Sequence, residues 1–578
     1  MIDLDIVSLR TGYRKETFKP KDVVEEIRER IELTRSHNIW ITLLDEADLA
    51  VRLDNLKHMS PDQHALWGIP FAIKDNIDLA GCPTTAGCPD FTYTPDSSAS
   101  VVSRLIAAGA IPIGKTNLDQ FATGLVGTRS PYGAVGNAVN PQYIAGGSSA
   151  GSAVAVRLGL CSFALGTDTA GSGRIPAGFN GIVGLKPTRG WWSTRGVVPA
   201  CKSLDCVSVF TRSVSDARII AGQCAGMDDD PWSRDIEFTG FNINMPRLGV
   251  IGGPDLEVCD SASGNAYTQF IDNLPFERVT IDMEPFTAAA QLLYEGPWVA
   301  ERYAAIDTFI QSSPQSLHPI TLEIIDKGAE LTAVDAFNGS YRLEKLKSVT
   351  DKVFDAIDVL LLPTAPTIFS IKEVMQEPIQ TNSRLGAYSN FVNLLDLCAL
   401  SIPAGTLTNG LPFGVTLIAK AGRDHALLDL AALLRGEAIS SEPRPGEFHL
   451  AVCGAHLSGQ PLNQDLVTPG GYLVEATRTS SDYRLYALPD GKRPALVRDP
   501  GCGCSIEVEV WSLPDHSLAD FVRTIAPPLG IGSVELMDGR WVNSFIAEPV
   551  ATENAQEITH YGGWRKYKAD GSAGLTED

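Results

Sequence analysis

The sequence predicts an α/β layered fold with a central mixed sheet, followed by a smaller β-rich domain. Through residue 210, short apolar runs of strand length alternate with segments of helical periodicity, as expected where helices cover a buried sheet. After residue 448, strand-like runs follow one another, and turns separate several of them. Residues 436–448 between the two parts are rich in Ser, Glu, Pro and Gly. We therefore predict a domain over 1–435, a linker over 436–448 and a second domain over 449–578.

The spacing of apolar residues predicts the elements of the first domain. Val23, Val24, Ile27 and Ile31 recur at helical intervals, so residues 20–34 are predicted to form an amphipathic helix. Residues 68–73 (GIPFAI) form a short apolar strand that delivers Lys74 at its end. Further predicted elements are a helix over 100–108, a strand and loop over 111–117, a buried strand with a Pro-rich turn over 358–366, a last strand over 411–419 and a helix over 424–435.

The second domain is predicted to consist mostly of strands. Apolar and β-branched runs that predict strands occupy residues 449–453, 472–476, 483–487, 495–498, 505–511, 533–537 and 541–546. One helix is predicted near residues 517–525. This part of the chain is therefore predicted to be a compact β-rich domain with one helix.

Two Gly/Ser loops flank one buried apolar element in the first domain. They are residues 146–152 (GGSSAGS) and 166–177 (GTDTAGSGRIPA). Glycine lets the backbone approach a ligand closely, so paired loops of this kind can aim hydroxyl and N–H groups at one point. The first loop matches G-x-S-x-G by letter, but residues 140–143 before it make a poor strand for a nucleophile elbow. A phosphate-binding G-x-x-x-x-G-K-[ST] motif is absent here, and flexible linkers do not alternate with apolar runs.

The chemistry that these loops favour is serine chemistry with a lysine as the base. None of the five histidines before residue 430 lies beside a Gly/Ser loop or in a metal-binding spacing, which weakens a Ser-His-Asp triad without excluding it. No metal or other cofactor is expected. Lys74 is the first candidate base and Lys115 the second. The competing interpretation of Lys74 is a surface salt bridge with Asp75 or Asp78.

With these motifs in place, the chain resembles the amidase-signature hydrolases. That resemblance rests on residues 71–76 (FAIKDN), on both loops and on residues 184–188 (GLKPT). In that family a Ser-Ser-Lys triad does the chemistry, and the bridging serine follows a cis peptide bond. Carried over to this chain, the resemblance implies that Lys74 is the base, Ser148 the bridging serine and Ser172 the nucleophile. Lys115 ranks below Lys74 because it lies in a structural segment of the resembled family.

General chemistry explains what each of these implied roles requires. A serine hydroxyl attacks an amide carbonyl only if a neutral base takes its proton. Burial must therefore lower the pKa of Lys74 by roughly 3 units from about 10.4, at a cost on the order of 4 kcal/mol. An oxyanion hole can form from the backbone N–H groups of four consecutive residues, Thr169, Ala170, Gly171 and Ser172, and losing one donor typically costs about 100- to 1000-fold in rate.

Composition limits the possible partners and locations. The net charge of −22 disfavours nucleic acid, although a local basic pocket for a small anionic substrate stays possible. No apolar run reaches the ~20 residues of a membrane span, and the first residues do not form a signal peptide. Eleven scattered cysteines, an odd number, indicate reduced thiols. We expect a soluble cytoplasmic protein.

Residues 292–303 (LLYEGPWVAERY) are the candidate specificity segment, predicted to be helical after Pro297. One apolar segment could present both Tyr294 and Arg302, whose planar guanidinium matches a carboxylate. The competing interpretation pairs Arg302 with Glu295 or Glu301 and leaves Tyr294 in the core. Residues alone favour that second interpretation.

The resemblance narrows to the allophanate hydrolase family, whose members carry a similar Y-E-G-P-W-V-A-E-R segment. Residues 169–174 and 452–463 (VCGAHLSGQPLN) also resemble that family and extend the likeness to nearly the whole chain. It implies that Tyr294 and Arg302 hold the substrate carboxylate, that hydrolysis releases ammonia, and that the C-terminal domain assists decarboxylation of the dicarboxylate product. His456 lies in a polar cluster that could donate a proton in this step, or it caps a turn.

Three other functions stay open at this point. A tRNA-dependent amidotransferase subunit would use the same triad, but the acidic balance and the extra β-rich domain argue against it. Another amidase acting on apolar amides would not need Arg302, and a non-enzymatic scaffold would not need an intact Lys74, Ser148 and Ser172. We expect a homodimer, with a larger complex of urea- or biuret-pathway enzymes as a further possibility.

Overall fold

Eleven strands of the computed structural model form one mixed sheet in the order β1-β3-β2-β4-β6-β5-β10-β11-β9-β7-β8. The strands are β1 (Trp40–Leu43), β2 (Pro70–Lys74), β3 (Ile111–Thr116), β4 (Phe163–Asp168), β5 (Val183–Lys186), β6 (Cys206–Thr211), β7 (Arg247–Val250), β8 (Glu277–Thr280), β9 (Val359–Pro363), β10 (Leu397–Thr406) and β11 (Pro412–Lys420). β2 runs parallel to both β3 and β4, whereas β4 and β5 pair antiparallel with β6. The predicted mixed sheet is confirmed.

The structure describes residues 2–439, 443–444 and 446–573. Four residues of the predicted linker, 440–442 and 445, lie outside this range, as do residue 1 of the first predicted domain and residues 574–578 of the second. The chain divides into two compact units. Unit 1 comprises Met1–Ile236 and Pro246–Ile439, and unit 2 comprises Glu237–Met245 and Ser440–Asp578. The short segment 237–245 therefore belongs with the C-terminal part of the chain, and the three predicted ranges stay a prediction.

Sixteen α-helices accompany the sheet in the described part of unit 1. They are α1 (Ile6–Arg14), α2 (Pro20–Leu33), α3 (Glu46–Asn55), α4 (Ser100–Ala107), α5 (Ala150–Arg157), α6 (Ile175–Asn180), α7 (Val214–Cys224), α8 (Ser261–Asp272), α9 (Glu284–Glu295), α10 (Trp298–Ser312), α11 (Pro319–Asp326), α12 (Ala333–Ala356), α13 (Ile371–Gln376), α14 (Gln380–Leu385), α15 (Phe391–Leu394) and α16 (Asp424–Arg435). α5 and α6 pack against each other and on the sheet, and α7 packs on α4 and α16.

Local sequence explains why these elements form where they do. α2 starts with a proline at its first position, where the missing N–H costs nothing, and buries the predicted stripe of valine and isoleucine. All five residues of β2 are buried, because this strand has neighbours on both sides in the sheet. α12 begins with a capping box in which Thr332 and Asp335 exchange hydrogen bonds. Because β2 is buried between two neighbouring strands, it holds Lys74 at a fixed position away from solvent.

Unit 2 contains two smaller sheets, and its predicted strands are all present. The five-stranded sheet has the order β13-β16-β12-β18-β17 and the three-stranded sheet the order β15-β14-β19. Their bounds are β12 (Glu447–Val452), β13 (Tyr472–Arg478), β14 (Tyr483–Ala487), β15 (Pro494–Arg498), β16 (Glu507–Pro514), β17 (Leu529–Glu535), β18 (Trp541–Ala547) and β19 (Gln556–Glu557). The core of this unit includes Val508, Val510 and Trp564.

Two expectations about individual elements were wrong. The described part of unit 2 has three helices and not one, namely α17 (Gln464–Val467), α18 (Leu518–Arg523) and α19 (Trp564–Ala573); α19 forms because Trp564 anchors it in the core. The two Gly/Ser loops are separated by two buried elements, α5 and β4, and not by one. The helix predicted after Pro297 is present as α10, so Arg302 lies on α10 and Tyr294 on α9, because Gly296 and Pro297 interrupt the helical hydrogen bonding between them.

Candidate active site

Lys74 and the first Gly/Ser loop meet at the end of β2. The Lys74 ammonium nitrogen Nζ lies 2.8 Å from Ser148 Oγ and 2.7 Å from Thr167 Oγ1. The Gly147–Ser148 peptide bond is cis, as the family resemblance implied. Position 147 leaves no room for a side chain, because an added Cβ would lie 2.0 Å from Asp119 Oδ2. The loop therefore brings its backbone unusually close to Asp119 and points the Ser148 hydroxyl at Lys74.

The surroundings of Lys74 favour its neutral form. Its side chain is fully buried, and within the described residues it has no ion pair, so the predicted alternative of a surface salt bridge is wrong. Burial lowers the pKa of Lys74 to about 7, although the carboxylates of Asp119, Asp205 and Asp168 oppose this shift. A substantial fraction of Lys74 is then uncharged at neutral pH and able to accept a proton.

Lys115, the second candidate base, has a different environment. Its Nζ lies 3.2 Å from Asp75 Oδ1 and donates a hydrogen bond of 2.9 Å to Thr84 Oγ1. The Asp75 carboxylate, whose pKa burial raises, also accepts hydrogen bonds from the Thr85 backbone N–H and hydroxyl. Lys115 is thus one half of a buried ion pair with Asp75, whereas Lys74 has no carboxylate partner among the described residues.

The second Gly/Ser loop is organised by Asp168 at the end of β4. The Asp168 carboxylate accepts hydrogen bonds from the Gly171 and Gly173 backbone N–H groups and a bidentate pair from Arg174, both at 2.9 Å. Burial alone would raise the pKa of Asp168, but the Arg174 guanidinium and these hydrogen bonds hold it below its usual range. The buried ion pair between Asp168 and Arg174 therefore fixes the conformation of this loop.

Ser172 lies in this loop with its hydroxyl available. The residue is 3% exposed, and within the described part of the chain its hydroxyl makes no hydrogen bond. The backbone N–H groups of Thr169, Ala170 and Ser172 likewise have no acceptor among the described residues. Gly171 differs from the prediction, because its N–H already donates to Asp168 at 2.9 Å. Three of the four predicted oxyanion donors are therefore free within that part of the chain.

Tyr294 and Arg302 approach each other although they belong to different helices. The Arg302 guanidinium carbon lies 5.2 Å from the centre of the Tyr294 ring, and Arg302 Nη1 donates to Thr123 Oγ1 at 3.3 Å. Tyr294 packs against the apolar cluster that includes Ala170 of the nucleophile loop. These contacts connect the candidate specificity residues to the loop that carries Ser172.

Arg302 is a buried cation without a carboxylate partner among the described residues. It is 2% exposed, no ion pair of Arg302 exists in that part of the chain, and its Nε has no hydrogen-bond acceptor there. Glu301, the predicted alternative partner, instead accepts hydrogen bonds from the backbone N–H and hydroxyl of Ser203 at 2.7 Å. A buried guanidinium without an anion is costly, so this position is suited to bind one.

Several residues of the site could not be found from sequence patterns. Ser149 fixes the loop to β4, since its Oγ donates to the Thr167 carbonyl at 3.1 Å. Asp119 accepts backbone hydrogen bonds from Val126, Gly127 and Arg129. Asp205 accepts a short hydrogen bond from the Thr169 hydroxyl. Their only sequence signal is the residue type, because each partner lies at least seven positions away.

In unit 2, His456 lies in an aromatic cluster. Its ring stacks on Phe545 with 5.1 Å between ring centres and meets Phe521 edge-on at 5.6 Å. Its Nε2 lies 3.8 Å from Asp465 Oδ2. Burial lowers the pKa of His456, and Asp465 only partly opposes this. Burial therefore favours the neutral form of His456, so fewer His456 rings carry a proton at a given pH than a free imidazole would.

Neither a metal site nor a membrane span is found in the part of the chain that the structure describes. Within residues 2–439, 443–444 and 446–573, no three His, Cys, Asp or Glu side chains are grouped as metal ligands would be. In the same part of the chain, no helix has both the length and the apolar composition that crossing a bilayer requires.

Comparison with family models covers both parts of the chain. Residues 22–428 match the model described as Amidase. The chain belongs to the amidase family. Residues 448–569 match the model described as the allophanate hydrolase C-terminal domain. The amidase match contains Lys74, Ser148, Ser172, Tyr294 and Arg302, whereas His456 lies in the second match.

This amidase is similar to solved and curated proteins over nearly its whole length. The selenomethionine-substituted allophanate hydrolase of Kluyveromyces lactis is 39% identical, with a TM-score of 0.83 over 98% of this chain and 99% of that chain. The K. lactis urea amidolyase structure is also 39% identical, with a TM-score of 0.82 over 98% of this chain and 36% of that one. The curated urea amidolyase of Lachancea kluyveri is 44% identical over 91% of this chain. Our chain spans 31% of that protein, about a third of its length.

Proposed function

We propose that this amidase hydrolyses allophanate, a urea that carries a carboxylate, and releases ammonia and carbon dioxide. Its similarity to the K. lactis allophanate hydrolase over almost the full length of both chains supports this proposal. The match of residues 448–569 to the C-terminal domain model supports it independently, since that region lies outside the amidase match.

The observation that carries the choice of substrate is the unpaired guanidinium of Arg302. An amidase for neutral amides would gain nothing from a buried cation, which costs free energy unless an anion pairs with it. The carboxylate of allophanate supplies that anion, and Tyr294, whose ring lies under the guanidinium, would add its hydroxyl as a second donor. Arg302 and Tyr294 would thus orient the substrate with its amide toward Ser172.

The first chemical step follows from the Lys74 environment. Neutral Lys74 takes the proton of Ser148 while Ser148 takes that of Ser172, whose oxygen attacks the amide carbon. The resulting oxyanion is stabilised by the backbone N–H groups of Thr169, Ala170 and Ser172. Protonated Lys74 then returns the proton through Ser148 to the leaving nitrogen, and ammonia departs. Water, deprotonated by the same relay, releases the acyl group from Ser172 as a small dicarboxylate.

Unit 2 would act on that dicarboxylate. Loss of carbon dioxide leaves an electron pair on nitrogen, which a proton must neutralise, so a group that holds and delivers a proton assists this step. His456 is our candidate, with Asp465 within 3.8 Å to favour its charged form when a second anion approaches.

We also infer a cytoplasmic location and a homodimer, with association with other urea- or biuret-pathway enzymes as a wider possibility. All eleven cysteines are free thiols, which fits a reducing compartment. Light scattering of the purified protein would measure the mass of the assembly directly, and a monomer mass near 62.0 kDa would contradict the dimer.

The test is ammonia release from allophanate by purified protein. Wild type should release ammonia, and Ser172→Ala should lower the rate at least about a thousandfold, because it removes the bond-forming oxygen. Lys74→Ala should be nearly as severe. Lys115→Ala serves as the matched variant of a buried lysine: if it abolished activity while Lys74→Ala kept most of it, the assignment of the base would be wrong.

A further inference from the structure

Asp205 is a buried carboxylate that the mechanism above leaves without a role. It lies immediately before β6 and is 5% exposed. One oxygen of its carboxylate, Oδ2, accepts backbone hydrogen bonds from Ala200 at 2.8 Å and from Cys201 at 3.1 Å. The other oxygen, Oδ1, accepts a short hydrogen bond from the Thr169 hydroxyl. Asp205 therefore joins the turn before β6 to Thr169, the first residue after β4 in the nucleophile loop, which is the second Gly/Ser loop (residues 166–177).

The nucleophile loop is held by two aspartates that act on opposite ends. Asp168 holds Gly171 and Gly173, and its charge is matched by Arg174. Asp205 holds Thr169, and within the described residues it has no ion pair. Of the three oxyanion donors, the Thr169 N–H lies in the same residue as the hydroxyl that Asp205 binds. Fixing that hydroxyl restricts the direction in which the neighbouring peptide groups point.

The charge of Asp205 also acts on the two cations of the site. It is one of the carboxylates that oppose loss of the Lys74 charge, and the Arg302 guanidinium acts on Asp205 in turn. The same carboxylate lines an open cavity of about 370 Å³ together with Lys202 and Trp232. Asp205 thus adds a negative charge that favours the charged forms of both Lys74 and Arg302.

We propose that Asp205 is a positioning residue of the amidase reaction, which fixes the oxyanion donors through the Thr169 hydroxyl and sets the charge balance between Lys74 and Arg302. This inference rests on the proposed amidase function. A purely structural role, in which Asp205 only closes the turn of residues 200–205, is the competing interpretation. The two differ in their consequences: a turn contact affects folding alone, whereas a positioning carboxylate affects kcat and its dependence on pH.

Two variants separate these interpretations. Thr169→Val removes the hydroxyl, keeps the backbone N–H and leaves the turn contacts of Asp205 intact. Asp205→Asn removes the charge with little change of shape. We expect each variant to lower kcat for allophanate by about 100-fold, the typical effect of a small misplacement of catalytic groups, with KM changed far less. Asp229→Asn is the control, since Asp229 lines the same cavity and is exposed.

The pH profile provides a measure that a folding defect would not move. Removing the negative charge of Asp205 should lower the pKa of Lys74 further, so the acid limb of kcat/KM should shift to lower pH in Asp205→Asn and stay in place in Thr169→Val. The other charged groups that act on Lys74 or Asp205 are unchanged in both variants; they are Asp119, Asp168 and Arg302. Cys201 stays a neutral thiol, because burial raises its pKa.

The outcomes are distinguishable. If wild type released no ammonia from allophanate, the proposed function would fail, and the same variants would then be compared on whichever amide the wild type hydrolyses. If wild type is active but Thr169→Val and Asp205→Asn keep its kcat and its pH profile, Asp205 has no positioning role. The inference is equally overturned if both variants lose activity only in proportion to a loss of folded protein, measured by circular dichroism.

Discussion

Replacement of Lys74 by methionine should abolish activity and yet stabilise the protein at neutral pH. Methionine has similar length, tolerates burial and carries no charge. Lys74 is fully buried, and burial lowers its pKa to about 7. An unfolded lysine titrates near 10.4, so at pH 7 the folded state must give up a proton that the unfolded state keeps. Wild type therefore loses stability at neutral pH, and the variant does not.

The size of this stability difference follows from the shift in the pKa of Lys74. A difference of about 3.4 pKa units corresponds to roughly 4 kcal/mol of stability at pH 7, given about 1.4 kcal/mol per unit. The hydrogen bonds from Lys74 to Ser148 and Thr167 each stabilise the folded wild type by about 1 kcal/mol. Lys74→Met should then be more stable than wild type by about 2 kcal/mol at pH 7. Because the folded pKa is depressed, wild type regains stability as the pH rises from 7 toward 10.4, and near pH 10 the variant should be the less stable protein by about 1 kcal/mol.

Thermal unfolding measured from pH 7 to 10 tests this crossover. Each kcal/mol shifts Tm by roughly 1 to 2 °C in a unit of this size. The matched control is Lys115→Met, which leaves the Asp75 carboxylate buried without its cation and should destabilise by about 3 to 5 kcal/mol at both pH values. A Tm difference between Lys74→Met and wild type that stays constant across this pH range would refute the reasoning, because Lys74 would then keep its charge on folding.

Three further predictions concern the reaction. The kcat/KM for allophanate should rise with pH along a limb with an apparent pKa near 7, as neutral Lys74 is formed; a profile flat from pH 5 to 9 would exclude this base. Arg302→Gln should raise KM for allophanate by about 10- to 100-fold, since a charge-assisted bond of about 1.5 to 3 kcal/mol is lost, and leave a neutral amide unaffected; equal losses on both substrates would make Arg302 structural. His456→Ala should leave ammonia release intact and slow carbon dioxide release to the spontaneous rate; an unchanged ratio and rate of the two products would remove His456 from the mechanism. This point variant is a cleaner test than truncation after Arg435, because residues 237–245 belong to unit 2 and would lose their partners.

Elements and motifs that depend on residues close together in the sequence were predicted well. The end of β2 at Lys74 follows from a short apolar run, and the helical stripe of α2 follows from its valine and isoleucine spacing. The strands of unit 2 follow from alternation and turn residues. Lys74, Ser148 and Ser172 were found because glycine-rich loops and a lysine after a strand form a recognisable combination, supported by a family resemblance.

Contacts of long range could not be predicted in this way. The order of strands in the sheet depends on packing that no local pattern records, as in the placement of β10 next to β5. Asp205 meets Thr169 across 36 positions of sequence, and no feature of residues 203–205 indicates that contact. For Arg302, sequence favoured a pair with a neighbouring glutamate, and only the structure shows that Glu301 binds Ser203 instead. The weak signal for α19 lay in one aromatic residue, Trp564, whose burial depends on the rest of unit 2.

The central claim is that a serine amidase site built around Lys74 selects a substrate by its carboxylate through Arg302. Its most direct test is ammonia release by wild type, Ser172→Ala and Arg302→Gln, with allophanate, biuret, malonamate and a neutral simple amide offered side by side. We predict rapid release from allophanate that requires both Ser172 and Arg302, and slow release from the neutral amides that requires Ser172 alone. Equal rates from allophanate and a neutral amide, or release from allophanate that survives Ser172→Ala, would contradict the account.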